Sequence, residues 1–319
     1  MFRPRTLGLA LVASSFAGAC HSPATWGSTD VACRPLTVTH AQRPPGWSGS
    51  VFVIVMENHS FSDIMGSDDA PTINALARDG AVAAGYHDPY VHPSEPNYLW
   101  MVAGENFGIL DDNDPGPGNT IASTSHIADQ IEHANLAWRA YEEDMGAPCG
   151  LSSHGNYAAK HDPFVYFDDL NGWHGTSFAP TERCNAHVVD FSQLATDLAS
   201  GQVPDYAFIT PNLQHDMHDG TVGQGDAWLA NVLPSIQSSP AYTRGGAIFL
   251  VWDEGSNESD DPPFIVASPN ARAGFVSQVS YDTSSFLLTT EKILGLDELP
   301  CSVQPSSVQS MDDLFTVKM

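Results

Sequence analysis

An α/β domain with a mostly parallel central sheet is what the sequence predicts, on three observations. Val51–Met56 and Gly246–Trp252 are continuous apolar runs rich in β-branched residues, the pattern of strands buried on both faces. Strand-like runs alternate with helix-like stretches, which favours parallel strands joined by helical crossovers with helices on both faces. Hydrophobic residues make up 42% of the 319 residues and charged ones only 16%, enough apolar side chain for a sizeable core. The 26 glycines and 23 prolines point to many loops rather than to a helical bundle.

The elements follow in order. After the first strand, Thr72–Arg78 has helical spacing and stops at Gly80, and Ala81–Tyr86 reads as a second strand. Tyr98–Ala103 is a short helix ending at Gly104. Ser125–Ala134 is amphipathic, and Ala137–Glu142 reads as a strand. Residues 145–185 are rich in Gly, His, Asn and aromatics and form a long insertion. Phe191–Ala199 is helical, Tyr206–Thr210 is a strand stopped by Pro211, and Asp226–Ile236 is helical. Gly246–Trp252 and Phe264–Ala267 are strands, and Phe286–Leu294 closes the domain as a helix.

The formal charge of −26, from 12 basic and 38 acidic side chains, argues against a nucleic-acid partner and against docking on anionic lipid. Residues 1–20 read as an export signal: Arg3 and Arg5, then an apolar run too short to span a bilayer, then small residues. Cys20 follows Ala17-Gly18-Ala19, a lipoprotein-like cleavage site with Ala17 where Leu is usual. The outcomes are a lipid tether through Cys20 or a plain secretory cut, and hence an extracellular, periplasmic or envelope-anchored protein. Residues 21–48 read as a linker and 49–319 as the functional domain. The remaining cysteines, Cys33, Cys149, Cys184 and Cys301, suggest two disulfides in an exported chain. Three pairings are possible; Cys149–Cys184 with Cys33–Cys301 is favoured. The oligomeric state is not legible.

Polar clusters gather where strands end, the place at which open α/β sheets bind ligands. Glu57-Asn58-His59-Ser60 follows the first strand and Asp253-Glu254-Gly255 follows Gly246–Trp252. Pro211-Asn212 and His215-Asp216-Met217-His218-Asp219-Gly220 follow Tyr206–Thr210. A fourth cluster, His92 to Tyr98, opens the short helix. Carboxylates, an amide oxygen and imidazoles suit a divalent cation, and a serine hydroxyl beside such an ion becomes a nucleophile without a His–Asp pair. A Gly-x-Ser-x-Gly elbow, a P-loop and a Gly-x-Gly-x-x-Gly are absent. Asp111–Asp114 lacks the spacing and closing Glu of a calcium-binding EF-hand loop and reads as a surface turn.

Val53 to Phe61, His92-Pro-Ser-Glu-Pro-Asn-Tyr98, Asp216-Met-His-Asp-Gly220 with Gly225-Asp226-Ala-Trp-Leu229, and Trp252-Asp-Glu-Gly255 stand in the order of the motifs of the bacterial phosphoesterases. The chain resembles that family, which holds acid phosphatases and phospholipases C. Its length and Asn156-Tyr-Ala-Ala-Lys-His161 are most similar to the small secreted acid phosphatases. The resemblance implies an alkaline-phosphatase-like three-layer α/β/α sandwich, one or two divalent metal ions, and a small phosphate ester as substrate, with phosphoinositide phosphates an extension from that branch.

The resemblance and the residue chemistry together assign roles. Glu57, Asn58, Asp253 and Glu254 bind metal. Ser94 is the nucleophile, forming a phosphoserine. Asn97 and Lys160 bind phosphate, with His92 and His161 beside them. His218 protonates the leaving alcohol or contacts phosphate, and His215, Asp216 and Asp219 hold a second metal or orient His218. The family's opening Ser-Phe-Asp is Ser60-Phe-Ser-Asp63 here, and the C-terminal module of the phospholipase members is lacking. Both favour a phosphomonoesterase. The alternatives are a phosphodiesterase of phospholipase C type and a non-catalytic surface binding protein.

Overall fold

The computed structural model describes residues 42–122, 125–257, 259–299 and 308–319. The export signal with Cys20, most of the linker, Cys33 and Cys301 lie outside the described residues. Ten strands are described: β1 Val51–Met56, β2 Ala81–Ala83, β3 Tyr86–His87, β4 Trp138–Glu142, β5 Val188–Asp190, β6 Tyr206–Thr210, β7 Ala247–Trp252, β8 Phe264–Ala267, β9 Phe275–Ser277 and β10 Tyr281–Asp282. Eight form one sheet in the order β5-β4-β6-β1-β7-β8-β2-β9, and β3 pairs with β10 in a small second sheet. Neighbours in the large sheet are parallel except where β8 meets β7 and β2. The predicted strand Ala81–Tyr86 is therefore two strands in two sheets, broken at Ala84-Gly85.

Alternation within β1 separates the two faces. Val51, Val53 and Val55 join one apolar cluster with Tyr98, Leu99, Phe164, Phe208, Phe249 and Phe286. Phe52, Ile54 and Met56 join the other with Ile73, Leu76, Leu194, Trp228 and Leu229. The helices Ser94–Ala103, Ile127–His133 and Thr283–Leu294 supply the first cluster, and Pro71–Asp79, Ser192–Ser200 and Val222–Gln237 the second. The result is a three-layer α/β/α sandwich. Every residue of β1 and β7 is buried, so Phe249→Ala is worth about 3–5 kcal/mol of stability. Among the described residues, no helix is long and apolar enough to cross a membrane.

Local chemistry sets the helix ends. Pro71 occupies the first turn of its helix, where no amide is needed. Thr221 and Gln224 form a reciprocal capping box on Val222–Gln237, and Asp282 caps Thr283–Leu294 through the Ser285 amide at 2.7 Å. The helix expected at Tyr98–Ala103 begins at Ser94, a full turn earlier, and ends at Gly104 in the left-handed region. Its first turn is polar, which hid it from an apolar-periodicity reading.

Cys149 and Cys184 form a disulfide across a separation of 35 residues, pinning the 145–185 insertion. Upstream of residue 49, Trp47 is buried edge-on against Phe315, and Arg43 pairs with Asp205 at 2.6 Å. The packed domain thus reaches into the stretch read as linker.

Candidate active site

Register puts the first two acidic clusters side by side. β1 and β7 run parallel with Met56 opposite Trp252, so both chains emerge level and place Glu57 beside Asp253. The backbone turns at Asn58, whose φ of 44° is a left-handed conformation that Asn tolerates better than most residues. That turn lets the Asn58 amide donate to Asp253 Oδ1 at 3.2 Å and its Nδ2 donate to Glu254 Oε1 at 3.1 Å. After Glu254 the loop folds back so tightly that a Cβ on Gly255 would lie 1.9 Å from the Asp260 carbonyl oxygen.

Ser94 opens its helix beneath this pair. The buried hydroxyl donates to Glu57 Oε2 at 3.1 Å and also lies beside Asp253. Four residues on, one helical turn along the same face, Tyr98 donates its hydroxyl to Glu57 Oε1 and stacks on His161 with ring centres 5.1 Å apart. Tyr98 thus supports the site, and its i, i+4 spacing from Ser94 was the available signal. His92 Nδ1 stands 2.7 Å from Glu254 Oε2. Asn97 Nδ2 donates to Val91 O at 2.8 Å and to Glu254 Oε2 at 3.0 Å. Both amide hydrogens of Asn97 are therefore committed to the protein, so this arrangement has it orienting Glu254 rather than donating to phosphate.

The insertion and the loop after β6 close the other side. Two short 3₁₀ turns, Ala159–His161 and Pro163–Tyr166, follow one another, the second capped by Asp162 through the Phe164 amide at 3.2 Å. His161 lies between two carboxylates, with Nε2 3.4 Å from Glu57 Oε2 and Nδ1 3.3 Å from Asp216 Oδ2. Lys160 Nζ is 2.8 Å from Asp112 Oδ2 and 3.2 Å from His218 Nε2. His218 Nδ1 faces Asp219 Oδ1 at 2.8 Å. Asp219 therefore orients His218. His215 is a correction: its Nδ1 turns away to Glu143 Oε2 at 2.8 Å, over the Trp228 ring, and does not join the site. Neighbours in sequence point to different places in this loop because Met217 adopts a φ of 84°. Asp111–Asp114 is a second correction, since Asp112 reaches inward to Lys160 instead of ending a solvated turn.

Electrostatics follow from burial. Burial, then Asp253 and Asp216, push the Glu57 carboxyl well above the usual range. Burial and Glu254 do the same to Asp253. Glu254 is pushed up to about 8 and Asp216 to about 7, burial being the largest cause in each. Burial holds His161 well below the usual imidazole range, with Lys160 and His218 adding to it. Burial opposes the charge on Lys160, yet the hydrogen bond to Asp112 and the charge of Glu57 raise its pKa overall.

The donor set fits a divalent cation. Asn58 Oδ1, Asp216 Oδ2, Asp253 Oδ2 and His161 Nε2 are buried without a hydrogen-bond partner, an arrangement that is costly unless something binds there. Four carboxylates that burial forces towards the neutral form would be relieved by a positive ion among them. Among the described residues, Glu57, His161 and His218 bring ligand atoms within 4.8 Å of one another at this site. This group shares Glu57 with the set read from sequence and adds two imidazoles.

The three-layer sandwich is a fold this chain shares with solved members of the alkaline-phosphatase superfamily. One such protein, from Vibrio parahaemolyticus, superposes with a TM-score of 0.55 at 10% identity, over 84% of this chain and 70% of that one, a likeness of fold. Sequence carries the assignment further. Residues 67–260 match the phosphoesterase family. The chain is 32% identical over 248 residues to the phosphatidylinositol-3-phosphatase of Mycobacterium tuberculosis, covering 77% of each. It is 27% identical over 263 residues to an acid phosphatase of Aspergillus fumigatus, spanning 78% of this chain and 55% of that enzyme. The chain belongs to the phosphoesterase family and is a hydrolase of phosphate ester bonds.

Proposed function

We propose that the protein is a metal-dependent phosphomonoesterase of acid phosphatase type that works through a phosphoserine on Ser94. The observation that carries the reading is the buried Ser94 hydroxyl, hydrogen-bonded to Glu57 at the meeting point of the strand-end carboxylates. Its substrates are small organic phosphate monoesters. The phosphatidylinositol-3-phosphatase relative supports a phosphoinositide head group among them. Export is supported by the N-terminal sequence and by the Cys149–Cys184 disulfide, a bond typical of oxidising compartments.

Glu57, Asn58, Asp253 and Glu254 would hold the metal, with His161, His218 and Asp216 placed for a further coordination position. A bound divalent cation would favour the Ser94 alkoxide and offset charge on the transferring phosphoryl group. Ser94 Oγ forms the new O–P bond in line with the departing alkoxide, and the proton it loses moves along its hydrogen bond towards Glu57 Oε2. Lys160 places its charge against the equatorial oxygens, where negative charge is spread in the transition state. His92 and Asn97 fix Glu254, and Tyr98 fixes Glu57, so the carboxylates need no rearrangement as the reaction proceeds. His218 stands exposed at the outer edge, where it holds Lys160 against the phosphate through Nε2 at 3.2 Å, and the departing alkoxide takes its proton from solvent. Water then attacks the phosphoserine, releasing inorganic phosphate and restoring Ser94.

The test is phosphate release from para-nitrophenyl phosphate and from bis(para-nitrophenyl) phosphate in parallel, with and without a chelator. Monoester hydrolysis that collapses on chelation supports the reading. Diester selectivity would move it to a phosphodiesterase, and loss of neither activity on chelation would remove the metal.

A further inference from the structure

We infer that Asp112 is a positioning residue that ties the Lys160 ammonium to the helix start carrying Ser94. The inference deepens the proposed function and rests on Lys160 as the phosphate-binding cation. Asp112 uses its two carboxylate oxygens for two separate tasks. Oδ1 accepts the backbone N–H of Glu95 at 3.0 Å, and Oδ2 accepts from Lys160 Nζ at 2.8 Å. The first bond supplies a cap that the helix lacks on its own, because Pro93 at the N-cap offers no side-chain acceptor. Through one rigid carboxylate, the residue next to Ser94 and the ammonium group therefore share a fixed spacing, although they lie far apart in sequence.

The second contact of Lys160 completes the geometry. His218 Nδ1 faces the Asp219 carboxylate at 2.8 Å, which places the imidazole proton there and leaves the Nε2 lone pair to accept from Lys160 at 3.2 Å. An ammonium group has three donors. Asp112 and His218 take two, and the third is left for a ligand oxygen. Glu57 and Asp253 both act on the Lys160 charge, so the group stands close to the site. Freed from Asp112, the long side chain would regain rotamer freedom, and ordering it again would fall on substrate binding. The hydrogen bonds of Asp112 go to the Glu95 amide and Lys160, and its charge acts on Glu254 only across space.

The variants are D112N, D112E, K160A and the D112N/K160A double variant, each as the full chain. D112N keeps an acceptor for the Glu95 amide but presents an amide group, not a charge, to Lys160. With para-nitrophenyl phosphate, D112N is expected to raise KM about tenfold, the size of one charge-assisted hydrogen bond, while kcat changes less. Inorganic phosphate, titrated calorimetrically with Mg²⁺ present, should lose affinity by a similar factor. D112E should recover part of both, and D112N should add nothing to K160A. Unchanged or tighter phosphate binding in D112N, or effects that multiply in the double variant, would overturn the inference. Wild-type protein that releases no phosphate would count against the proposed function instead. The calorimetric titration reads the Asp112 tie in that case too, and D112E does so should D112N not fold.

Discussion

Two carboxylate crowds in this molecule have opposite electrostatics. Around Arg183, the guanidinium reaches Asp129, Asp169 and Glu132 at once, with Nε 2.9 Å from Glu132 Oε1, and buried His126 stands 3.4 Å from Asp169. There the pKa values of Asp169 and Glu132 fall below the usual range; burial opposes this but the contacts with His126, Trp138 and Arg183 outweigh it. At the strand ends, Glu57, Asp216, Asp253 and Glu254 are all pushed upward, and Lys160 contributes its charge from the rim. The geometric grouping His126, Asp129 and Asp169 satisfies the same 4.8 Å spacing as Glu57, His161 and His218. The first already holds a cation in Arg183, which contacts Asp129, Asp169 and Glu132, whereas the second has no such group among its ligand atoms. Spacing alone therefore does not mark a metal site; a deficit of positive charge does.

The largest expected effect is at the nucleophile. Ser94→Ala should lower kcat by about 10³-fold or more while leaving metal content and the fold intact, as steady-state kinetics and metal analysis would show. Asp253→Asn follows: metal content by mass spectrometry and activity should fall together, and metal retained at the wild-type level would place the ion elsewhere. Chelation of the wild type should lower the unfolding free energy by about 2.7 kcal/mol when the ion is a hundredfold above its Kd. Calorimetric unfolding with and without chelator measures it, and chelation of Asp253→Asn should change nothing.

The Arg183 cluster should respond in the other sense. Arg183→Ala leaves Asp129, Asp169 and Glu132 without their shared cation and should cost about 1–3 kcal/mol, less than a fully buried pair because the guanidinium is part-exposed. Phosphatase activity and metal content should not change. Asp169 and Glu132 have depressed values in the folded state, so their contribution is present above the ordinary carboxylate range. It is lost as pH falls below about 4. Acid unfolding curves of wild type and Arg183→Ala should therefore converge on acidification; a constant gap would assign the effect to packing.

The strongest elements were legible because their signals are local. β1 and β7 are unbroken apolar runs, and the residues that follow them, Glu57 and Asp253, could be placed at one sheet edge from the sequence alone. The edge strands β5 and β9 and the short β10 were not legible. They have two or three residues each and exist through long-range pairing, which periodicity does not report. In the site, residues that follow a strand directly are legible from their chemistry and Ser94, Asn97, Lys160 and His161 from the family motifs, whereas the supporting contacts of Tyr98 and Asp112 are not. Asp112 sits in the acidic run Asp111–Asp114, but its partner Lys160 lies 48 residues away and nothing local links the two. Tyr98 stood inside a recognised motif, but its hydroxyl contact with Glu57 depends on how the helix seats. His215 and His218 are three residues apart and look equivalent in sequence, yet a left-handed residue between them sends one to Glu143 and the other to Lys160.

The most direct measurement is the site of covalent phosphorylation. The enzyme would be mixed with a phosphate monoester, quenched in acid within its first turnovers, digested and mapped by mass spectrometry. Phosphate on Ser94, absent from the chelated enzyme and from Ser94→Ala, is the expected result. Phosphate on a different residue, or wild-type turnover by Ser94→Ala, would contradict the central claim that this serine attacks phosphorus from within the strand-end carboxylates.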